Sequence, residues 1–499
     1  MYIFSASQIR AWDEYTILHE PIASIDLMER ASVACYQWLL KYRNTDTSFV
    51  VFCGKGNNGG DGLAIARLLA ESDHTVTVYI LEFGHKGTDD FQANLARLHG
   101  TRATIKFIPA EENIPVLTRG EIIIDALLGS GLNRPLDGLT ATVVHHINQS
   151  GNEAVSIDIP SGLFVSDNFK GNTIIHASHT LSFQCYKPAF LVADNTSFIG
   201  QLHILDIGLH PAFPEENPSP YRWISPSLIQ SFLKTRDPFA HKGTFGHAAI
   251  LAGSQGMMGA AVLCARACLR SGVGKLTAHI PSVGYTIMQT AVPEAMTYTA
   301  GKDYIELAVD LDKYDAIGAG PGWGQHPSQV PLLESIFQQT AKALVLDADA
   351  LNILSQHPNL LKRLPLGAII TPHPKEFERL FGKTGNDFER IQLAIQKAAE
   401  LQIVIVLKGR YTVIATPGEI TYFNSTGNPG MATGGTGDVL TGIITGLAAQ
   451  QYTPEQAAIL GVYLHGLAGD LVVSYTSQES LIASDLIDYL GDAFHQLKT

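Results

Sequence analysis

The stretch Ser48-Phe-Val-Val-Phe-Cys53 runs without a break into Gly54-Lys-Gly-Asn-Asn-Gly-Gly-Asp-Gly62 and then into Leu63-Ala-Ile-Ala-Arg-Leu-Leu-Ala70. An apolar strand, a glycine-rich turn and a helix in that order form the phosphate-binding corner of a doubly wound α/β sheet. The spacing differs from the dinucleotide fingerprint GxGxxG. Asn57, Asn58 and Asp61 add side-chain oxygens that a plain pyrophosphate turn does not need, and these suit a hydroxylated ligand or a cation. The plainer alternative is a generic glycine turn.

Later units keep the same rhythm. Thr75-Val-Thr-Val-Tyr-Ile80 reads as a strand and Asp89 to His99 as a helix. Glu121-Ile-Ile-Ile-Asp125 is a strand leading into Ala126-Leu-Leu-Gly-Ser-Gly131, and Ala154-Val-Ser-Ile-Asp158 is a strand leading into Ile159-Pro-Ser-Gly162. Two buried parallel strands ending in acids place Asp125 and Asp158 at the carboxyl edge of the sheet, where ligands bind. A single strand-end Asp is more often a cap or turn former; two beside a glycine loop point to a site. Lys187 is either a surface charge or an acid opposite these carboxylates. Ahead of the first strand, Ile9, Trp12, Tyr15 and Ile17, then Ile25, Met28, Ala31, Cys35 and Trp38, recur at helical spacing and predict two amphipathic helices.

At 499 residues the chain is too long for one ordinary core. The segment 207–241 holds Pro211, Pro214, Pro218, Pro220, Pro226 and Pro238 and reads as a linker with a helix at its end, giving expected domains at 1–215 and 225–499. The formal net charge is −13, with no basic face to suggest nucleic acid. Five cysteines make no disulfide framework and fit a reducing compartment. Cys264 and Cys268, one helical turn apart, have no second Cys/His pair nearby and read as core. No basic leader and no span of about 18 uninterrupted apolar residues is found, so the expectation is a cytoplasmic protein that meets no membrane.

In the second half, Ala316-Ile-Gly-Ala-Gly-Pro-Gly-Trp-Gly324, Ala343-Leu-Val-Leu-Asp-Ala-Asp349, Ala368-Ile-Ile-Thr-Pro-His-Pro-Lys-Glu376 and Ile403-Val-Ile-Val-Leu-Lys-Gly-Arg-Tyr-Thr412 alternate strand and loop, predicting a second α/β domain. Met258 to Arg270 is a helix of small residues that admits another backbone or a flat ligand. Asn428-Pro-Gly-Met-Ala-Thr-Gly-Gly-Thr-Gly-Asp438 runs into an apolar helix. Gly434, Gly435 and Gly437 let backbone amides converge on an anion at that helix's positive end, and Asp438 stands where it takes a proton from an attacking hydroxyl. The plainer alternative is a glycine-rich turn between strand and helix.

The segments GNNGGDG, DALLGSGL and DIPSG resemble the NAD(P)H-hydrate epimerase domain, the YjeF N-terminal family, over about residues 1–210 and in a Rossmann-like fold. That resemblance implies that Asn57, Asn58, Gly59, Gly60 and Asp61, with Gly129, Ser130, Gly131, Leu132, Asn133, Arg134 and Pro135, hold the hydrated nicotinamide nucleotide. It implies a potassium ion on Asn58, Asp125 and Ser161, and Asp158 as the acid/base that opens and recloses the hydrated ring, with Lys187 as partner. From about residue 225, HKG, GPGxG, LDADALN, TPHPxE, LKG and NPGMATGGTGD resemble the ribokinase-like ADP-dependent NAD(P)H-hydrate dehydratases. Here the resemblance implies that Ala260, Gly322, His373 and Asp438 contact the hydrate. The phosphoryl donor ADP would meet Lys408, Gly409, Arg410, Tyr411, Thr412 and the amides of Gly434, Gly435, Thr436 and Gly437, with magnesium arriving on the nucleotide. On spacing alone His373 is equally a satisfied loop histidine. The expectation is a homo-oligomeric, bifunctional enzyme that epimerises R and S NADH or NADPH hydrates (NADHX, NADPHX) and dehydrates the S form, releasing AMP and phosphate. The competing readings are a ribokinase-type kinase for hydroxymethylpyrimidine or pyridoxal-like substrates with an accessory domain, and an N-terminal domain that only binds nucleotide.

Overall fold

The computed structural model describes residues 2–41, 47–166, 171–306, 310–339 and 342–498. They form two compact units, Met1–Ser219 with Asn386–Phe388, and Pro220–Gly385 with Glu389–Thr499.

The first unit is built on seven strands: β1 (Phe49–Cys53), β2 (Val76–Leu81), β3 (Thr104–Ile108), β4 (Ile122–Ala126), β5 (Ala154–Ile157), β6 (His179–Phe183) and β7 (Gln201–Leu205). Their order is β3-β2-β1-β4-β5-β6-β7, and every pairing is parallel. β1 and β4 are buried at every residue, as strands covered on both faces are, and Asp125 is the one polar side chain between them. Phe49, Val51 and Cys53 face one core with the helices Ser24–Lys41 and Asn57–Glu71; Val50 and Phe52 face another with the helix Gly138–Gln149. The strand order reverses between β1 and β4, which opens a crevice at their carboxyl ends.

The glycine-rich stretch differs from the expected turn. Its Asn-Asn-Gly-Gly-Asp-Gly run forms the first turns of the helix Asn57–Glu71 rather than preceding a helix at Leu63. The glycines serve close approach. A Cβ on Gly59 would lie 1.9 Å from the Gly54 carbonyl oxygen, and one on Gly62 would lie 2.5 Å from the Ala126 Cβ. Bare backbone thus lets the helix N-terminus sit directly on the ends of β1 and β4.

The second unit has ten strands: β8 (Tyr221–Trp223), β9 (His247–Leu251), β10 (Lys275–Ile280), β11 (Met296–Thr299), β12 (Ala316–Ala319), β13 (Ala343–Leu346), β14 (Ile369–Ile370), β15 (Val404–Leu407), β16 (Val413–Ala415) and β17 (Thr421–Phe423). Their order is β11-β10-β9-β12-β13-β14-β15-β16-β17-β8. The sheet is parallel through β15, β16 runs antiparallel to both neighbours, and β8 closes the edge parallel to β17. β8 lies inside the proline-rich stretch read as linker, and the helix Pro226–Phe232 follows it, capped by the Ser225 hydroxyl.

Against this sheet the helix Thr436–Ala449 packs on Met258–Arg270 so closely that a Cβ on Gly442 would lie 2.2 Å from the Cys264 carbonyl oxygen. The small-residue helix therefore receives another backbone, and Cys264 and Cys268 are buried in the core. The 22-residue helix Pro454–Tyr475 is apolar and long enough to cross a bilayer, but most of it is buried within the unit's own core.

Candidate active sites

In the first unit the functional groups gather where β1, β4 and β5 end. Asp158 follows β5 with φ +70°, a left-handed conformation costly for a side chain with a Cβ, and its amide donates to the Leu181 carbonyl at 2.7 Å. That backbone turns the carboxyl toward Lys187, whose Nζ lies 2.8 Å from Oδ1, while Oδ2 accepts the Ser130 amide at 2.9 Å. Burial works against ionising Asp158, but the Lys187 ammonium and the Ser130 amide outweigh it, and the carboxyl sits below its ordinary range. Lys187 is fully buried and also donates to the Ser182 hydroxyl.

Asp125, at the end of β4, is fully buried and takes hydrogen bonds from the Ser161 hydroxyl at 2.6 Å, the Ser156 hydroxyl at 2.7 Å and the Ser161 amide at 2.9 Å. Among the described residues no Lys, Arg or His pairs with it, and burial raises its affinity for protons. The Asn58 amide is likewise buried, and among the described residues neither its oxygen nor its nitrogen has a hydrogen-bond partner. A Cβ on Gly129 would lie 3.0 Å from Asp158 Oδ2 and 3.2 Å from Asn58 Oδ1, so glycine there keeps the approach to both groups open.

Asn58, Gly129, Ser130 and Asp158 border a cavity of about 770 Å³. Asn57, Asn58, Asp61, Asp158 and the loop Gly129, Ser130, Gly131, Leu132, Asn133 and Arg134 line it. Gly59, Gly60, Asp125, Pro135, Ser161 and Lys187 do not; Gly60 packs on the Met28 sulfur, Asp125 and Ser161 bond to each other away from the wall, and Lys187 stands behind Asp158. Two further carboxyls share the wall. Asp61 is pushed well up by burial and by Asp158, with the Ser32 hydroxyl donating to it at 3.4 Å. Asp13, on the helix Ala6–His19, is pushed up to about 7 by burial first and by Asp158 second.

In the second unit the centre is the N-terminus of the helix Thr436–Ala449, where Gly435 adopts φ +93°. A Cβ on Gly434 would meet nothing within 4 Å, so the loop stays open in front of the helix amides. Asp438, in the first turn, is raised to about 7 by burial and then by Asp347, with Lys408 opposing. The buried Asp347 follows β13 directly. Its Oδ1 lies 2.9 Å from Lys408 Nζ, and its Oδ2 accepts the Thr441 hydroxyl at 2.8 Å. Lys408 is also 3.9 Å from Glu376. Next to Asp347, Ala348 holds φ +49°, and Asp349 accepts the Gly324 amide at 2.8 Å.

The remaining groups named from the sequence fall around this centre. His373 caps the helix Pro374–Phe381: its Nδ1 accepts the amides of Lys375 and Glu376 at 3.1 and 3.3 Å, and its Nε2 lies 3.5 Å from Glu376 Oε1 in a partly exposed ring. Burial and then Lys408 lower its affinity for protons. Gly322 has φ +62°, and a Cβ on it would sit 3.0 Å from the Ala260 Cβ, which makes the two neighbours. In the loop after β15, the Thr412 hydroxyl closes a turn on the Gly409 carbonyl at 3.1 Å, Arg410 donates to the Gly427 carbonyl at 2.5 Å, and Tyr411 lies against Trp223. The Thr436 hydroxyl donates to the Met431 and Thr433 carbonyls at 3.1 Å, and the Thr436 carbonyl accepts His465 Nε2 at 2.9 Å.

Sequence reasoning did not single out Asp347, Glu376, Thr441 or Asp13. Asp347 carries the same strand-end signal that marks Asp125 and Asp158, and Glu376 closes the TPHPxE segment; Thr441 and Asp13 have no local signature.

The model of the family described as YjeF-related protein N-terminus matches residues 24–189, and that described as NAD(P)H-hydrate dehydratase matches residues 248–491. A bifunctional NAD(P)H-hydrate repair enzyme Nnr of Moorella thermoacetica is 34% identical, covering 100% of this chain and 97% of its own. That of Coxiella burnetii is 34% identical over 98% of each chain. A solved ribokinase-like superfamily protein from Enterococcus faecalis is 27% identical with a TM-score of 0.50, covering 56% of this chain and 96% of its own. On this likeness along its full length, the chain belongs to the family of bifunctional NAD(P)H-hydrate repair enzymes.

Proposed function

We infer that this chain carries out both reactions of its family: it interconverts the R and S hydrates of NADH or NADPH in the first unit and dehydrates the S form in the second, with ADP as phosphoryl donor. The observation that carries the reading is that one chain holds two carboxylate-centred sites of opposite character. Asp158 is held ionised by Lys187, and Asp438 is held near neutrality at an open helix N-terminus.

In the first unit the ionised Asp158 takes the proton of the hydroxyl on the hydrated ring, the carbon–nitrogen bond opens, and reclosure on the other face inverts the centre. Lys187 supports this by keeping Asp158 charged. Potassium on Asn58, Asp125 and Ser161 is consistent with an all-oxygen donor set, with the unpartnered Asn58 oxygen and with a buried Asp125 lacking a cationic partner. Bound there, it would supply positive charge at the carboxyl ends of β4 and β5.

In the second unit Asp438 deprotonates the ring hydroxyl, which attacks the terminal phosphoryl group of ADP at the helix N-terminus. Gly434, Gly435 and Gly437 leave the backbone bare there, and Lys408, held by Asp347, carries a positive charge toward the transferring group. Phosphate then leaves far more readily than hydroxide, and elimination driven by the ring nitrogen restores the reduced nicotinamide. Magnesium travels with the nucleotide. The buried free cysteines, Cys35, Cys53, Cys185, Cys264 and Cys268, are at home in a reducing compartment such as the cytoplasm.

The test is the near-ultraviolet absorbance of reduced nicotinamide regenerated from a mixture of R and S hydrates, with magnesium, potassium and either ADP or ATP. Recovery of the whole mixture with ADP is expected, and replacing potassium by sodium is expected to slow only the R fraction. Recovery of the S fraction alone would remove the epimerase assignment of Asp158. A stable phosphorylated product without reduced nicotinamide would make the second unit a kinase.

A further inference from the structure

Ring opening at a carbon that bears both a hydroxyl and the ring nitrogen needs two proton transfers. As the hydroxyl loses its proton and the carbon–nitrogen electron pair retreats to nitrogen, that nitrogen must gain one. Lys187 is poorly placed to supply it. It is fully buried, engaged by Asp158 and Ser182, and absent from the cavity wall. Asp13 is on that wall. On the helix Ala6–His19 it stands between Ile9 and Ile17, four residues either way, and all three line the cavity that Asp158 also lines. Among the described residues no hydrogen bond or ion pair engages the Asp13 carboxyl. The helix that carries it is fixed on both sides of the residue. The Trp12 indole donates to the His210 carbonyl at 2.9 Å, the Thr16 hydroxyl accepts the His210 amide at 3.0 Å, and Trp12 stacks on Phe213. A rigid, partly buried carboxyl without a protein partner, facing the same cavity as an ionised one, is poised to serve a ligand.

We propose that Asp13 is the second catalytic acid–base group of the first unit, giving its proton to the ring nitrogen while Asp158 takes the proton of the ring hydroxyl. This rests on the ring-opening reading of Asp158. In the opening step the O–H bond breaks to Asp158, the C=O bond forms, the C–N bond breaks and an N–H bond forms from Asp13. Rotation of the freed aldehyde exposes its other face. In closure nitrogen attacks the carbonyl carbon, its proton returns to Asp13, and Asp158 returns a proton to oxygen. Nothing is oxidised or reduced, and both carboxyls end as they began.

The charges around Asp13 support the division of labour. Burial and the Asp158 carboxylate push it up to about 7, Glu14 on its own helix adds to this, and Lys187 opposes. Asp61, Arg10 and Arg134 complete the charged groups on the cavity wall. Two carboxyls at one cavity, one driven down and one driven up, form the pair that acid–base chemistry at neutral pH requires.

The experiment measures direct R-to-S interconversion by chromatographic separation of the epimers, after subtraction of the uncatalysed rate, for the full chain and its Asp13→Asn, Asp13→Glu and Asp158→Asn variants. Dehydration of pure S hydrate in the same preparations serves as the control for folding. For Asp13→Asn, kcat for epimerisation is expected to fall about 10²–10⁴-fold with KM within a few-fold and dehydration intact. Asp13→Glu is expected to recover part of the rate. In the parent protein, where the protonated form of Asp13 is the active one, kcat/KM is expected to decline above about pH 7, and that limb is expected to vanish in Asp13→Asn. An Asp13→Asn variant within three-fold of the parent, or one that keeps the alkaline limb, would overturn the proposal. Activity surviving in Asp158→Asn would instead overturn the ring-opening reading beneath it.

Discussion

In an Asp438→Asn variant, the carboxyl that burial and Asp347 raise to about 7 gives way to a neutral amide of similar size. The ionised carboxylate is what the second unit tolerates for catalysis, so its removal is expected to abolish dehydration and to stabilise the fold. The magnitude follows from the shift. A rise of about three pH units over the ordinary carboxyl value, at about 1.4 kcal/mol per unit, sets a ceiling of about 4 kcal/mol on what ionisation costs the folded state. Partial exposure and local relaxation reduce this, so a gain of about 1–3 kcal/mol at pH 8 is expected. The sign depends on pH. Below the unfolded carboxyl value of about 4, parent and variant are both neutral at this position and equally stable; the gap opens as pH rises past that value and is complete above about 7. Denaturant unfolding of the full chain at both pH extremes, following the transition that ADP displaces, reads the gap. Loss of the base is expected to slow dehydration of S hydrate about 10²–10⁴-fold, and in the parent kcat/KM is expected to rise with pH through about 7. An Asp438→Asn variant less stable than the parent at pH 8, a gap that is the same at both extremes, or dehydration surviving within ten-fold would refute the reasoning.

Lys187→Met removes the cation that outweighs the burial of Asp158. Breaking a buried pair costs up to about 3–5 kcal/mol where the orphaned charge stays ionised, and the carboxyl escapes part of this by taking up a proton. The epimerisation pH profile is therefore expected to move to higher pH, and an unmoved profile would show that Lys187 does not set the Asp158 charge. Gly442→Ala places a Cβ 2.2 Å from the Cys264 carbonyl oxygen and is expected to destabilise the second unit by at least about 1–3 kcal/mol in denaturant melts. Gly491→Ala, where a Cβ meets nothing within 4 Å and the residue is helical, is expected to be neutral or slightly stabilising. Equal effects at the two positions would mean that the helix pair is not held by backbone contact.

What the sequence disclosed depends on whether a residue's surroundings are local. β1 is a continuous apolar run, and β4 and β5 are apolar but for Asp125 and Ser156; all three are legible because a strand buried on both faces needs mostly apolar side chains. β8, β16 and β17 have three residues each, too short for a pattern to show; β16 and β17 form successive hairpins after β15, and β8, which lies among prolines, is a strand only through its pairing with β17 some two hundred residues on. The glycines of the first site carried a double meaning. Glycine marks a turn when it needs positive φ and a close approach when it needs no Cβ, and composition does not separate the two; Gly59 and Gly62 prove to be of the second kind. The carboxylates divide along the same line. Asp125, Asp158 and Asp347 sit at or just past the ends of parallel strands, and a strand end has a fixed address in an open α/β sheet, at the edge where ligands bind. Asp347 was as readable as the other two by that rule. Asp13 lies in the middle of an amphipathic helix, where the pattern reports only which face is apolar. That face could have met any core, and it becomes a catalytic wall because Trp12 anchors to His210, almost two hundred residues away, and brings Asp13 round to the cavity. A group whose role depends on such docking has no sequence signature, so carboxyls left without partners beside a cavity are where a structure adds most to the reading of a site.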